Sequence, residues 1–183
     1  VKRLLVTGYK ASELGIFSLQ HPGIDMIKKA IKKKLIPLMD EGLEWVIVSG
    51  QWGVELWAAE AAIELREAHE GLQLAVICPF LGQEENWSDP KKEKYEAVLR
   101  QANYVNSVTK SKYEGPWQFR EKNKFLLRNS DGMLLVYDED KEGSPKFMKE
   151  QAVRLSQARE YRILTINEQD LQSIVEEEQM NQW

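Results

Sequence analysis

Residues 46–65 read VIVSGQWGVELWAAEAAIEL. A short run of β-branched apolar residues meets Ser49-Gly50-Gln51-Trp52-Gly53, and apolar residues at helical spacing follow at once. Runs of this first kind suit strands buried on both faces, which is the habit of parallel sheets flanked by helices. Working outward, the same alternation recurs along the chain. Residues 2–8 (KRLLVTG), 73–78 (QLAVIC), 132–138 (GMLLVYD) and 162–166 read as strands, with a weaker one at 103–109. Helical patterns cover 24–39, 54–68, 90–102, 116–129, 145–160 and 168–178, and Pro37 should kink the first or end its regular part. Strands alternating with helices and joined by right-handed crossovers predict an α/β fold, a Rossmann-like three-layer sandwich with a mostly parallel, doubly wound sheet. We expect one domain over residues 1–178 and a frayed end at 179–183.

The 183 residues are enough for one well-buried core, and 43% hydrophobic with 30% charged residues is ordinary for a globular chain. No apolar stretch is long enough to cross a bilayer, so membrane insertion is not expected. One cysteine, Cys78, excludes an internal disulfide and fits a reducing, cytoplasmic setting. The net charge of −4 argues against nucleic acid as the main partner. His21 and His69 are far apart and lack cysteine or carboxylate partners at ligand spacing, so no metal is expected. The lysines of 28–34 fall opposite an apolar stripe and read as a solvated helix face. Cys78 reads as a buried thiol, with a nucleophile as the alternative.

Ligands of doubly wound sheets sit beyond the carboxyl ends of the strands. Four loops qualify. The loop at Gly50, Gln51, Trp52 and Gly53 offers tight turns and a helix N-terminus, with Glu55 in the first helical turn. Glu55 either complements the helix dipole or accepts hydrogen bonds from a sugar diol, and it would repel a phosphate placed there. The loop at Gly143, Ser144 and Lys146, which follows Asp138, reads as an N-cap with Pro145 at the first helical position; its amides and Lys146 are the alternative phosphate cradle. Gly8, Tyr9 and Lys10 supply a turn, an aromatic ring and a cation, for base and phosphate or as surface residues. Pro79 ends the third strand beside the fourth loop. Trp52, Trp87 and Trp117 lie in or near loops, packed in the core or free to stack on bases.

The stretches VTGYK (6–10), ELGIF (13–17), SGQWGVELWAAEAA (49–62), YEAVL (95–99), FREKNKFLLRNSDGMLLVYD (119–138) and EGSPKFM (142–148) together resemble the YpsA family of Gram-positive bacteria. That family belongs to the SLOG superfamily of Rossmann-like proteins, with DprA/Smf and the LOG phosphoribohydrolases. Ser49 to Glu55 is similar in spacing to the SGLARGID turn of DprA proteins. Phe119-Arg120-Glu121-Lys122-Asn123-Lys124 is similar to their F-P-x-R-N-R, with lysines in place of the arginines. The resemblance implies that Asn123 and Lys124 join the other loops in one pocket. The LOG motif P-G-G-x-G-T-x-x-E is not matched: residues 138–146 lack the double glycine, and Glu150 falls too late.

These readings give four functions. The first is binding of a small nucleotide-derived ligand (ADP-ribose, an NAD-related molecule or a nucleotide sugar), with no cofactor required, in a sensor. The second is cleavage of a nucleotide N-glycosidic bond, with Glu55 as the catalytic carboxylate. The third is single-stranded nucleic-acid binding in the DprA manner through Lys10, Lys122, Lys124 and loop tryptophans. The fourth, implied by the family's association with cell division, is a protein partner or self-association.

Overall fold

The computed structural model describes residues 1–182; Trp183, at the tip of the end expected to fray, lies outside the described residues. Six parallel strands form one sheet: β1 (Arg3–Gly8), β2 (Trp45–Val48), β3 (Gln73–Cys78), β4 (Tyr104–Ser107), β5 (Gly132–Val136) and β6 (Arg162–Ile166), in the order β4-β3-β2-β1-β5-β6. The register runs evenly across the centre, with Leu5 opposite Ile47 on one side and Met133 on the other. The chain first winds outward from β1 to β4, then crosses back and winds from β5 to β6. The reversal lies between β1 and β5, as expected for a doubly wound sheet.

Among the described residues six helices cover the sheet: α1 (Pro22–Asp40), α2 (Val54–Ala68), α3 (Asp89–Gln101), α4 (Trp117–Arg128), α5 (Pro145–Ala158) and α6 (Glu168–Met180). Right-handed crossovers put α1, α2 and α3 on one face and α4 and α5 on the other. α6 returns to pack on α1, so the first face carries four helices and the second carries two. α2 sits in the middle of the crowded face. Its alanines let it approach closely, and Ala58, Ala59 and Ala61 are fully buried beside Trp57. The second face is left thin: between α4 and the strands a groove of about 370 Å³ is lined by Trp45, Ile47, Ala75, Ile77, Tyr104 and Phe125. β4, only four residues long, is the edge strand beside it, with Tyr104 and Val105 exposed.

Local chemistry explains the ends. His21 caps α1 by accepting from the Gly23 amide through Nδ1 at 2.9 Å, and Pro22 takes the first helical position, where no amide hydrogen is needed. α1 runs on through Pro37 to Asp40, three residues further than a break there would allow. The carbonyl deprived of a partner is that of Lys33, and both Lys33 and Pro37 are exposed, so water can satisfy it. Asn167 and Asp170 form a reciprocal capping box at the start of α6.

Candidate functional site

The reversal point between β1 and β5 is tied shut from within. Tyr9 is buried, at 4% exposure, and its hydroxyl accepts from the Asp138 amide at 3.0 Å. The same hydroxyl faces the carbonyls of Asp138, at 3.1 Å, and Lys141 as acceptors. Its ring supports the 138–141 turn and offers no face to a base. Glu13, in a 3-10 turn at Ser12–Leu14, reaches across to the start of α5. Its Oε1 accepts from the Lys10 amide at 2.8 Å and Ser144 Oγ at 2.7 Å, and its Oε2 accepts from the Ser144 amide at 2.7 Å. Burial works against the charge on Glu13, but the bonds from Ser144 and Lys10 outweigh it and hold the carboxyl below its ordinary value.

Ser144 holds the N-cap position of α5 with Pro145 following, as the pattern predicts, but its side chain makes no capping bond, because Oγ is spent on Glu13; the phosphate-cradle reading of Gly143 and Ser144 is corrected. The amide expected to meet phosphate already holds a carboxylate. A Cβ on Gly143 would stand 2.7 Å from Glu13 Oε2, so the glycine serves this contact. Lys146 pairs with Glu142 at 3.2 Å. Asp138 accepts from the amides of Glu168 and Asp140, which hold its carboxyl low and make it a brace between β5 and α6.

The β2–α2 loop is likewise used for packing. Gly53, at φ 144°, runs antiparallel to Lys10; Val54 donates to the Tyr9 carbonyl at 3.1 Å and Ala11 to the Trp52 carbonyl at 3.2 Å. A Cβ on Gly53 would come within 2.6 Å of the Ala11 nitrogen. A Cβ on Gly8 would stand 2.8 Å from Val54 and 2.9 Å from Val136, so this glycine seats α2 on the sheet. Glu55 is 3% exposed and bends back over the end of β2. Its Oε1 accepts from both the amide and the hydroxyl of Ser49 at 2.6 Å. Its Oε2 has no hydrogen-bond partner among the described residues and is not sealed from solvent. Next to it Gln83 donates to the Ser49 carbonyl at 2.8 Å and to the Tyr95 hydroxyl at 2.9 Å, and that hydroxyl lies 3.0 Å from Cys78 Sγ. Burial pushes the Cys78 thiol up, which speaks against a nucleophile.

The cation that completes this site is Lys122, from the second turn of α4. Burial lowers the pKa of its ammonium, and Lys10 lowers it further, while Glu55 and Cys78 oppose the shift. Half-buried Lys122 thus lies within electrostatic reach of Lys10, Glu55 and Cys78, at the carboxyl ends of β1, β2 and β3, and it forms no ion pair among the described residues. Its Nζ lies 5.7 Å from the centre of the Phe119 ring. Phe119 belongs to an aromatic cluster with Phe80 and Tyr113, at centroid distances of 5.2–6.1 Å, and Tyr113 is 55% exposed. The loop carrying Tyr113 is pinned by buried Gln118, which accepts from the Glu114 amide at 2.7 Å and donates to the Lys112 carbonyl at 3.0 Å. Pro79, buried at the end of β3, holds the same loop through its carbonyl and Thr109 Oγ1 at 2.7 Å.

The structure thus draws together Lys10, the 50–53 loop, Glu55 and Pro79 with Lys122, named above only for the single-strand reading, and adds Phe80, Tyr113 and Phe119. Asn123 is half-buried one position along. Lys124 turns to the other side of α4, where it pairs with Glu121 at 3.6 Å. Trp52 and Trp87 pack edge to face at 5.8 Å beside the core, with Lys91 over Trp52; Trp117 stays 40% exposed. Gln51, half-buried, makes no side-chain hydrogen bond among the described residues. The signal for Lys122 was its place three residues after Phe119, which puts both on one helical face. Among the described residues no group of histidine, cysteine or carboxylate side chains has the geometry to hold a metal, and no helix is long and apolar enough to cross a membrane.

Comparison with known proteins agrees with this architecture. A UPF0398 protein of Lysinibacillus sphaericus is 54% identical over 179 residues, covering 98% of this chain and 100% of its own. One from Brevibacillus brevis is 53% identical, covering 98% and 95%. Among solved structures, DNA processing protein A from Helicobacter pylori, described for its single-stranded DNA binding mode, superposes with a TM-score of 0.53 at 13% identity. That match covers 90% of this chain, which spans 64% of the length of the Helicobacter chain, and it speaks for the fold. The family model described as the YspA SLOG family matches residues 4–171, and with these relatives it places the chain in the YpsA family of SLOG proteins.

Proposed function

We propose that the carboxyl edge of the sheet binds a small nucleotide-derived ligand, of the ADP-ribose, NAD or nucleotide-sugar kind. The observation that carries this is Lys122: a half-buried cation with no carboxylate partner among the described residues, within electrostatic reach of Glu55, whose Oε2 is free. A partly desolvated, unpaired cation costs stability, and such groups persist where they meet a ligand. Lys122 and Lys10 take the phosphate, Glu55 Oε2 accepts from a sugar hydroxyl, and the Phe80–Tyr113–Phe119 cluster offers a face to the base. The phosphate lies on this side of the site because Glu13 already occupies the start of α5.

Thermal unfolding of wild type, Lys122→Met and Glu55→Gln with AMP, NAD, ADP-ribose and nucleotide sugars tests the reading. A bound compound raises the melting temperature with the logarithm of its concentration. We expect one nucleotide class to stabilise wild type and Lys122→Met to weaken that binding by about ten- to a hundredfold, the range of a charged hydrogen bond. No stabilisation by any compound, or equal stabilisation of the variant, would sink it. Free base accumulating in the same samples would move the function to N-glycosidic cleavage.

A second reading is supported by the exposed aromatics. Tyr113 and Phe119, in ring contact, are at least 37% exposed, and stacking on such rings is how single strands are held without sequence preference. An oligonucleotide would then bind with a steep salt dependence, where a mononucleotide shows a shallow one.

A further inference from the structure

On the thinly covered face, α4 and α5 stand apart and leave a groove of about 640 Å³. Arg120, Lys124 and Arg128 line it from α4, Arg154 from α5 and Arg159 from just past its end. The three from α4 are spaced i, i+4, i+8, so they form one stripe with steps of about 6 Å. Arg120, Arg128 and Arg154 have no carboxylate partner among the described residues. Arg159 donates to the carbonyls of Leu127 and Ser130 at 2.9 and 3.0 Å, which fixes it at the end of α4. Among the described residues no acidic one lines the groove, although the chain has 29 acidic against 25 basic residues. Elsewhere four of the five lysines of α1 are paired, with Glu64, Glu177 and Glu178. The floor is apolar, from Leu127 and Leu155.

We propose that this groove receives an acidic amphipathic helix of a protein partner. The walls are two helices and the floor is leucine, which matches an apolar helical stripe laid between them. The cationic rims match carboxylates at i, i+4 on either side of that stripe. A single-stranded nucleic acid fits less well, because among the described residues no aromatic side chain lines the groove to stack on bases. This surface is separate from the Lys122 site and does not depend on it.

The probe is a fluorescein-labelled helical peptide of about four turns, with leucines on one stripe and glutamates on both flanks. Its anisotropy is followed with the full chain, with Arg120→Glu/Arg154→Glu and with Lys122→Met. Arg120 lies in the first turn of α4, where a glutamate is tolerated, so the double variant should keep its melting temperature. We expect salt-dependent binding to wild type and to Lys122→Met, and at least a tenfold loss in the double variant. A peptide with lysines in place of the glutamates should bind the double variant and not wild type. Equal binding of the acidic peptide to wild type and the folded double variant would overturn the proposal. So would tighter binding of an oligothymidine that the same double variant loses, which would assign the groove to nucleic acid.

Discussion

Glu55 shows how much a single residue's setting decides. The sequence places a carboxylate in the first turn of α2, but not the direction it takes. The structure turns it back to hold Ser49 with one oxygen and leaves the other free. Gly53 was legible as a glycine needed at a turn; that the need comes from the β1 loop, 2.6 Å away, depends on a contact made across 42 residues of chain. Lys122 was the harder case. Lys124 stood beside it with the same chemistry, and only the rotation of α4 against the sheet separates the two. Its depressed pKa has a consequence for stability. Between the lowered folded value and the ordinary 10.5, the unfolded chain holds a proton that the folded chain does not, so stability rises with pH through that window. Below it the buried charge is a constant penalty. Lys122→Met should therefore be more stable than wild type at pH 7, with the gap narrowing as pH rises toward 10.5. Urea midpoints from pH 7 to 10 measure this, and curves that stay superimposed would show that the ammonium is not desolvated.

At the level of elements, strands and helices were legible because their periodicities differ, and α2 followed from its alanine-rich pattern alone. What could not be read was the traffic between loops. The 3-10 turn at Ser12–Leu14 has no periodic signal, yet its Glu13 joins the β1 loop to the start of α5 and displaces the phosphate site expected there. That bridge is pH-sensitive in a defined sense. Glu13 is held below its ordinary 4.5, so its contribution is fully present above that pH and is lost as pH falls through the lowered value. Glu13→Gln should lose less stability than wild type between pH 5 and pH 3. Parallel acid-unfolding curves would mean that the bridge carries no net energy.

For the molecule as a whole, the order of elements was enough to predict a doubly wound parallel sheet, since crossover handedness leaves few alternatives. The uneven sharing of helices between the faces was not, because it depends on where α6 comes to rest. That unevenness bears on motion. α4 covers its end of the sheet alone, above a partly open groove and beside a four-residue edge strand. Amides there should exchange with solvent through local openings well below the global unfolding free energy, while those of β1 and β5 require it. The same helix carries Lys122 and Phe119, so a ligand joining them to the β1 and β2 loops would clamp the least anchored part of the fold. Hydrogen–deuterium exchange should then slow in α4 and β4 on nucleotide addition and stay unchanged in β1 and β5. The thin face would be the part of the molecule that registers whether the site is filled.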